Sequence, residues 1–93
     1  MAATIEVLCE PAGDGWTCQV TVREGGSSTT HAVTVPSADL ARLAPDAPTP
    51  EDLLRRSFGF LLAREPKESI LPRFDLPVIG HYFPEYERVI RQG

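Results

Sequence analysis

Three successive segments near the start of the chain alternate apolar and polar residues with a period of two, which is typical of half-buried β-strands. They span Thr4 to Glu10, Trp16 to Glu24 and Thr29 to Val35, and Gly-containing stretches separate them. Because a strand that slips by one residue moves all its apolar side chains to the other face, this alternation restricts the fold strongly. It predicts an antiparallel three-stranded meander.

The register of each predicted hairpin follows from aligning the apolar positions. A turn at residues 13–14 places Val7 opposite Val20 in the first hairpin. A four-residue loop at residues 25–28 places Val20 opposite Val33 in the second hairpin. Together the two registers place the apolar residues on the same face of the sheet. This face consists of Ile5, Val7, Cys9, Trp16, Cys18, Val20, Val22, His31, Val33 and Val35.

The opposite face of this sheet is almost wholly polar or threonine, so the apolar face needs a cover from the rest of the chain. The strongest helix signal supplies it, because Thr49 fits the N-cap and Pro50 fits the first helical position. Apolar residues then recur at helical spacing until about Arg64. We therefore predict an α+β fold, a three-stranded antiparallel β-meander with one face covered by a C-terminal helix and further short helices.

A chain of 93 residues fits a single domain. We predict one α+β domain over residues 1–93, with the meander at 1–36 and a short helical turn and Pro-rich linker at 37–48. The helical cover then occupies residues 49–93. Ser37 is predicted to cap the short turn.

Prolines divide the segment after residue 66 into short pieces, so only short helices are expected there. We predict a single helical turn at residues 69–71 and a short helix capped by Asp75. A last helix is predicted from Glu85 to Arg91.

Cys9 and Cys18 lie opposite each other in the predicted register. One alternative is a cross-strand disulfide, which demands a restricted geometry. The other, favoured because the compartment is expected to be reducing, is a pair of free cysteines that act as small buried side chains.

The chain lacks the residue patterns of the common catalytic and cofactor sites. It contains no nucleophile elbow and no phosphate-binding glycine loop, and His31 is predicted to be a structural residue at the sheet margin. His81 lies four residues before Glu85, but Pro84 interrupts the helix between them, and no further ligands are near in sequence. We therefore predict no enzyme activity, no cofactor and no metal.

Charge and hydropathy restrict the environment and the partners. No stretch of eighteen apolar residues occurs, and the opening residues lack a basic signal-peptide region, so we expect a cytoplasmic protein without a membrane partner. Eight of the nine basic residues are Arg, and Ala and Pro are frequent, which indicates a GC-rich bacterial genome. The net charge of −4 makes nonspecific binding of nucleic acid unfavourable.

The segment from Arg73 to Tyr86 is rich in the residue types that dominate binding hot spots, namely aromatic residues and Arg. We predict a non-enzymatic protein–protein interaction or regulatory accessory domain, whose partner is another protein or a second copy. The candidate partner-binding residues are Arg73, Phe74, His81, Tyr82 and Tyr86. A homodimer is also expected to be possible through the free edge of the third strand.

Two other classes of function remain open at this level. A small ligand could bind between sheet and helix if a cavity exists there. A nucleic-acid-binding module could use the basic second half of the chain, where residues 53–93 carry seven bases and five acids. Ion pairing of these bases with nearby acids would weaken that alternative. Its candidate residues are Arg55, Arg56, Arg64, Lys67 and Arg73.

Overall fold

A computed structural model describes residues 3–46 and 49–92. The elements in chain order are β1 (Thr4–Ala12), β2 (Gly15–Glu24), β3 (Ser27–Pro36), α1 (Ser37–Leu43), α2 (Pro50–Leu62), a 3₁₀ turn (Lys67–Ser69), β4 (Arg73–Asp75), α3 (Val78–Tyr82) and α4 (Tyr86–Arg91). The predicted α+β class with a β-meander is confirmed. The predicted Pro-rich linker includes residues 47 and 48, which lie outside the described part of the chain.

The first hairpin has the predicted register. Its turn comprises Gly13 and Asp14, and Val7 of β1 lies opposite Val20 of β2. Gly13 has a φ of 60°, a left-handed conformation that glycine adopts without a steric penalty. The turn residues and the apolar alternation therefore specify the same pairing.

The predicted register of the second hairpin is wrong by two residues. The turn consists of Gly25 and Gly26 alone, so Val20 lies opposite His31 and not Val33. Both glycines have positive φ, at 59° and 84°, as a two-residue turn that matches the strand twist requires. A shift of two residues leaves every side chain on its face, and the apolar pattern could not reveal it.

The two faces of the meander differ as predicted. The buried residues of the inner face are at most 6% exposed and comprise Val7, Cys18, Val20, Val22, His31, Val33 and Val35. The other predicted members, Ile5, Cys9 and Trp16, are half-buried. The outer face is mostly polar, with Leu8, Ala12, Ala32 and Pro36 as its apolar residues, and Leu8 is 74% exposed.

Helix α2 covers the inner face and packs on β1 and β2, as predicted. Its N-cap is Thr49, whose hydroxyl accepts a hydrogen bond from the Asp52 amide at 3.2 Å. The buried stripe is fully enclosed at Leu53, Leu54 and Phe58, each 0% exposed. Sheet and helix therefore form the two layers that bury the core.

Strand β4 was not predicted. It pairs in parallel with β3, with Ala32 opposite Arg73, and completes a four-stranded sheet in the order β1-β2-β3-β4. The prediction that Asp75 caps a helix is wrong, because Asp75 is the last strand residue. The β3 edge is also not free along its length, since β4 covers residues 32–34. A dimer through that edge is therefore not available at these residues.

Other boundaries differ by small steps. Ser37 is the first residue of α1 and makes no capping bond, because Pro36 occupies the N-cap position. The 3₁₀ turn lies at Lys67–Ser69, just before the helical turn predicted at residues 69–71. Helix α4 begins at Tyr86, with Glu85 as its N-cap, close to the predicted start.

Cys9 and Cys18 form a disulfide, so the preference for free cysteines is wrong. They lie directly opposite each other with Cα atoms 4.0 Å apart. Side chains approach most closely at the non-hydrogen-bonded pairs of an antiparallel ladder, which brings the two sulfur atoms within bonding reach. The predicted register, which sets the two cysteines opposite each other, is confirmed.

Candidate functional site

The structure divides the five predicted partner-binding residues between the core and the surface. Phe74 and Tyr86 are buried, at 8% and 2% exposed. Arg73, His81 and Tyr82 are exposed, and Tyr82 is 68% exposed. The five residues therefore do not form one surface.

Tyr86 is a core residue and not part of an exposed partner-binding surface. Its hydroxyl lies 2.7 Å from Ser57 Oγ, which in turn donates to the Leu53 carbonyl oxygen at 2.8 Å. Because the single Ser57 proton is used in that bond, the Tyr86 hydroxyl donates to Ser57. Burial raises the pKa of Tyr86 to about 12. This phenol ties α4 to the buried side of α2.

Phe74 lies at the centre of β4 and points into the core, where its ring centroid is 6.2 Å from that of Phe58. Side chains alternate along a strand, so Arg73 points to the outer face of the sheet, beside Ala32. Arg73 is thus separated by the sheet from Tyr82, which lies with the elements of the inner face.

His31 fixes the segment that leads into β4. Its Nδ1 lies 2.8 Å from the Leu71 carbonyl oxygen, and its Nε2 lies 2.8 Å from Thr29 Oγ1. A carbonyl oxygen can only accept, so Nδ1 carries a proton and donates to Leu71. The predicted structural role fits this geometry, and the histidine is more deeply buried than expected, at 2% exposed.

An open apolar groove lies between the C-terminal end of α2, the segment that contains Ser69 to Leu71, and α3. We call it the α2–α3 groove, and its volume is about 360 Å³. Two of its side chains are unusually exposed for their size, Tyr82 at 68% and Leu71 at 44%. Glu65 and Ser69 supply the polar lining. The apolar lining comprises Leu61, Ile70, Leu71, Phe74, Val78, Ile79, Tyr82 and Phe83.

Phe83, one of the lining residues, packs against α2. The Phe83 ring meets the Phe60 ring edge-on, with centroids 5.7 Å apart. The Arg64 guanidinium lies 3.6 Å from the centre of the Phe60 ring, and its Nη1 donates to the Phe60 carbonyl oxygen at 3.0 Å. One side of the groove is therefore held against α2 by an aromatic contact, while the Tyr82 and Leu71 side chains are exposed.

Sequence reasoning found Tyr82 but missed Leu71. An isolated leucine before Pro72 carries no periodic signal, so nothing in the sequence distinguishes it from a core residue. The bond between its carbonyl oxygen and His31 holds the main chain of Leu71 beside β3.

Ion pairs involve four of the five basic residues considered for nucleic-acid binding. Lys67 is itself buried, at 5% exposed, with its ammonium paired to Glu68. The pairs and their distances are Arg55–Asp52 at 3.5 Å, Arg56–Asp46 at 3.3 Å, Arg64–Glu85 at 3.4 Å and Lys67–Glu68 at 2.7 Å. These acids compete with phosphate for the same cations.

Within residues 3–46 and 49–92, no three His, Cys, Asp or Glu side chains come together as a metal site would require. Among the helices of this same part of the chain, none combines the length and the apolar character needed to cross a membrane. Comparisons of this protein with protein-family models, with curated proteins and with solved structures find no match. Function is therefore inferred from the residues of this chain.

Proposed function

We propose that the protein is a non-enzymatic interaction or regulatory accessory domain of a bacterial protein, and that its α2–α3 groove receives an apolar side chain of a partner protein. One observation carries the proposal: Tyr82 and Leu71 are exposed in the same apolar groove. Exposed large apolar side chains that share a concave surface are typical of protein interaction sites.

The composition of the groove favours a protein partner over a small metabolite. Sites for small molecules combine an apolar lining with several convergent polar groups that fix the ligand's orientation. Here Glu65 and Ser69 are the polar contributors among the lining residues, and the groove is open to solvent. Such a surface fits an aliphatic or aromatic side chain that is presented by a larger molecule.

The test is affinity capture of binding proteins from a bacterial lysate with the wild-type chain and three variants. Tyr82→Ala and Leu71→Ser remove the exposed apolar groups of the groove. Val89→Ser is the matched control, because Val89 is also an exposed apolar residue but lies on α4 and does not line the groove. We expect a partner that wild-type and Val89→Ser retain and that both groove variants lose by tenfold or more, a typical loss at a hot spot.

Capture that is unaffected by the groove substitutions would contradict the proposal, as would a partner that only Val89→Ser loses. Circular dichroism and thermal unfolding of each variant separate loss of binding from loss of folding. Because Tyr82 and Leu71 are exposed, their substitution is expected to leave the fold intact.

Nucleic-acid binding is the weaker alternative. The ion pairs of Arg55, Arg56, Arg64 and Lys67 lower the charge available to phosphate. If the alternative holds, binding to a duplex must weaken steeply as salt increases. Binding of that kind, lost in an Arg73→Ala variant, would favour it over the protein partner.

We also propose a cytoplasmic location, and the Cys9–Cys18 bond makes this testable. Disulfides are rare in the cytosol because thiol systems keep cysteines reduced. Thiol trapping in intact cells should therefore find the two cysteines reduced if the protein is cytoplasmic. If the two cysteines of the protein in its native cells are instead found in a disulfide, the protein lies in an oxidising compartment.

A further inference from the structure

Strand β1 has a free edge whose hydrogen-bonding groups can be assigned. It lies at the end of the sheet, and within the described residues it pairs with β2 alone. Ala12 and Gly15 flank the two-residue turn, so they form a hydrogen-bonded pair and the pairs then alternate along the ladder. The main-chain groups of even-numbered residues thus bond to β2. Those of Ile5, Val7 and Cys9 point away from the sheet.

We propose that this edge pairs with the same edge of a second copy of the chain, antiparallel and with the two-fold axis at Val7. Each copy then extends the sheet of the other. The surface involved is distinct from the α2–α3 groove, so the proposal stands independently of the proposed function. Charge and proline placement along β1 select the register, and the exposed Leu8 on this strand favours a second copy as the occupant.

The free main-chain groups of β1 belong to Ile5, Val7 and Cys9, so these residues must face one another across the interface. The two-fold axis must then pass through a residue, and a long overlap is possible only with the axis at Glu6, Val7 or Leu8. An axis at Glu6 sets the two Glu6 carboxylates directly opposite each other. Like charges at opposed positions destabilise a strand pair, so this register is unfavourable.

An axis at Leu8 fails for two reasons. It sets Glu6 of one copy opposite Glu10 of the other, which again opposes like charges. It also places Pro11 in a bonding position opposite Ile5, where proline has no N–H to donate.

An axis at Val7 avoids both penalties within the overlap of residues 4–10, because Pro11 then faces Ala3, which lies before β1. Glu6 then faces Leu8 of the second copy, and Thr4 faces Glu10, so no like charges are opposed. Ile5 faces Cys9, and both are half-buried residues of the inner face that gain cover. The two copies of Leu8, each 74% exposed in the single chain, come within reach of each other across the axis. This register thus explains an apolar residue that is otherwise exposed on a polar face.

The test of the register is cysteine cross-linking between two different variants, Glu6→Cys and Leu8→Cys, mixed in equal amounts and oxidised. These two positions are directly opposite only in the Val7 register, so we expect the mixture to form a covalent dimer at least several times faster than either variant alone. Gln19→Cys mixed with Leu8→Cys is the control, because Gln19 is exposed on the same face but lies on the central strand β2. Peptide mapping identifies the bond.

Cross-linking of Glu6→Cys alone or of Leu8→Cys alone as fast as that of the mixture would overturn the register. Cross-linking with Gln19→Cys at the same rate would overturn the edge pairing, since it would report random collision.

Two variants that place opposite charges at position 8 test the association without a cross-link. Leu8→Lys places a positive charge opposite Glu6 of the second copy, and Leu8→Glu places a negative charge there. By sedimentation equilibrium we expect the dimer dissociation constants of the two variants to differ by roughly tenfold, with Leu8→Lys the tighter. Equal constants, or a monomer at all protein concentrations in wild type, would overturn the proposal.

Discussion

At the scale of single residues, burial decides roles that residue type alone leaves open. Tyr82 and Tyr86 have the same side chain and lie four positions apart, yet one is 68% exposed and the other 2%. The difference comes from Ser57, whose hydroxyl gives the Tyr86 phenol a buried partner at 2.7 Å. A tyrosine with a satisfied hydroxyl can be enclosed at little cost.

Tyr86→Phe is expected to cost about 1 kcal/mol at neutral pH, the net value of one neutral hydrogen bond. Ser57 still donates to Leu53 in the variant, so no donor loses its only partner. Urea unfolding at pH 7 measures the change. Tyr82→Phe is the control and should be nearly neutral, because that tyrosine is exposed.

The buried phenol of Tyr86 should also make the free energy of unfolding depend on pH in the alkaline range. The pKa of Tyr86 is raised from its ordinary value of 10.0 to about 12, so between these values the unfolded chain loses the phenol proton while the folded chain keeps it. Stability from this group is therefore full below pH 10 and declines as pH rises through 12, by on the order of 2 kcal/mol. Unfolding measured at pH 9, 10 and 11 should show a steeper decline in wild type than in Tyr86→Phe. Parallel curves would contradict the assignment.

Two glycines respond oppositely to the same substitution. A Cβ on Gly15 would overlap the carbonyl oxygen of Val35, whereas one on Gly59 in α2 would meet nothing within 4 Å. We expect Gly15→Ala to destabilise by about 2 kcal/mol or more, because the strand backbone must move. Gly59→Ala should stabilise by about 0.5–1 kcal/mol through helix propensity. Thermal melts of both variants, compared with wild type, check the signs.

At the scale of elements, the strength of the local signal determined which ones could be predicted. The three strands and α2 have periodic patterns and clear end signals, and they appear where the sequence places them. Strand β4 is three residues long and pairs in parallel with a strand about forty positions earlier in the chain. A segment this short has no periodic pattern from which the strand could be predicted. Its pairing depends on the His31–Leu71 bond and on burial of Phe74, which are both tertiary contacts.

The N-cap of α2 is expected to matter measurably, since this helix covers the core. Thr49→Ala removes the acceptor for the Asp52 amide and should cost about 1 kcal/mol. Thr49→Ser keeps an acceptor oxygen, so it should lower the free energy of unfolding by only about 0.3 kcal/mol. Chemical denaturation of the two variants measures the difference. Equal losses would show that the hydroxyl does not act as a cap.

At the scale of the whole molecule, the Cys9–Cys18 bond constrains the unfolded chain more than it shapes the folded one. The cysteines are nine positions apart in a hairpin whose register the turn already specifies. For a loop of this length, chain entropy predicts a stabilisation of about 2–3 kcal/mol. We expect the reduced protein and a Cys9→Ala/Cys18→Ala variant to remain folded with lower denaturation midpoints. Identical midpoints for oxidised and reduced protein would contradict the expectation.

The candidate site was only partly accessible from sequence for the same reason as β4. Residue type selected Tyr82, Phe74 and Tyr86 as candidate partner-binding residues. Tyr82 is exposed, whereas Phe74 and Tyr86 are buried in the core. Leu71 had no signal at all. A groove is formed by elements distant in sequence, so its members cannot be grouped before the elements are packed.

The sequence by itself determined the elements whose information is local: the alternation that sorts the meander into an apolar and a polar face, the Gly13 turn, and the capped helix α2. Only the tertiary structure decided the register of the Gly25–Gly26 hairpin, because a two-residue shift leaves the faces unchanged. It also decided the parallel addition of β4, the burial of Tyr86 and the exposure of Leu71. These depend on which distant groups meet, and contact between distant groups is set by packing rather than by the pattern along the chain.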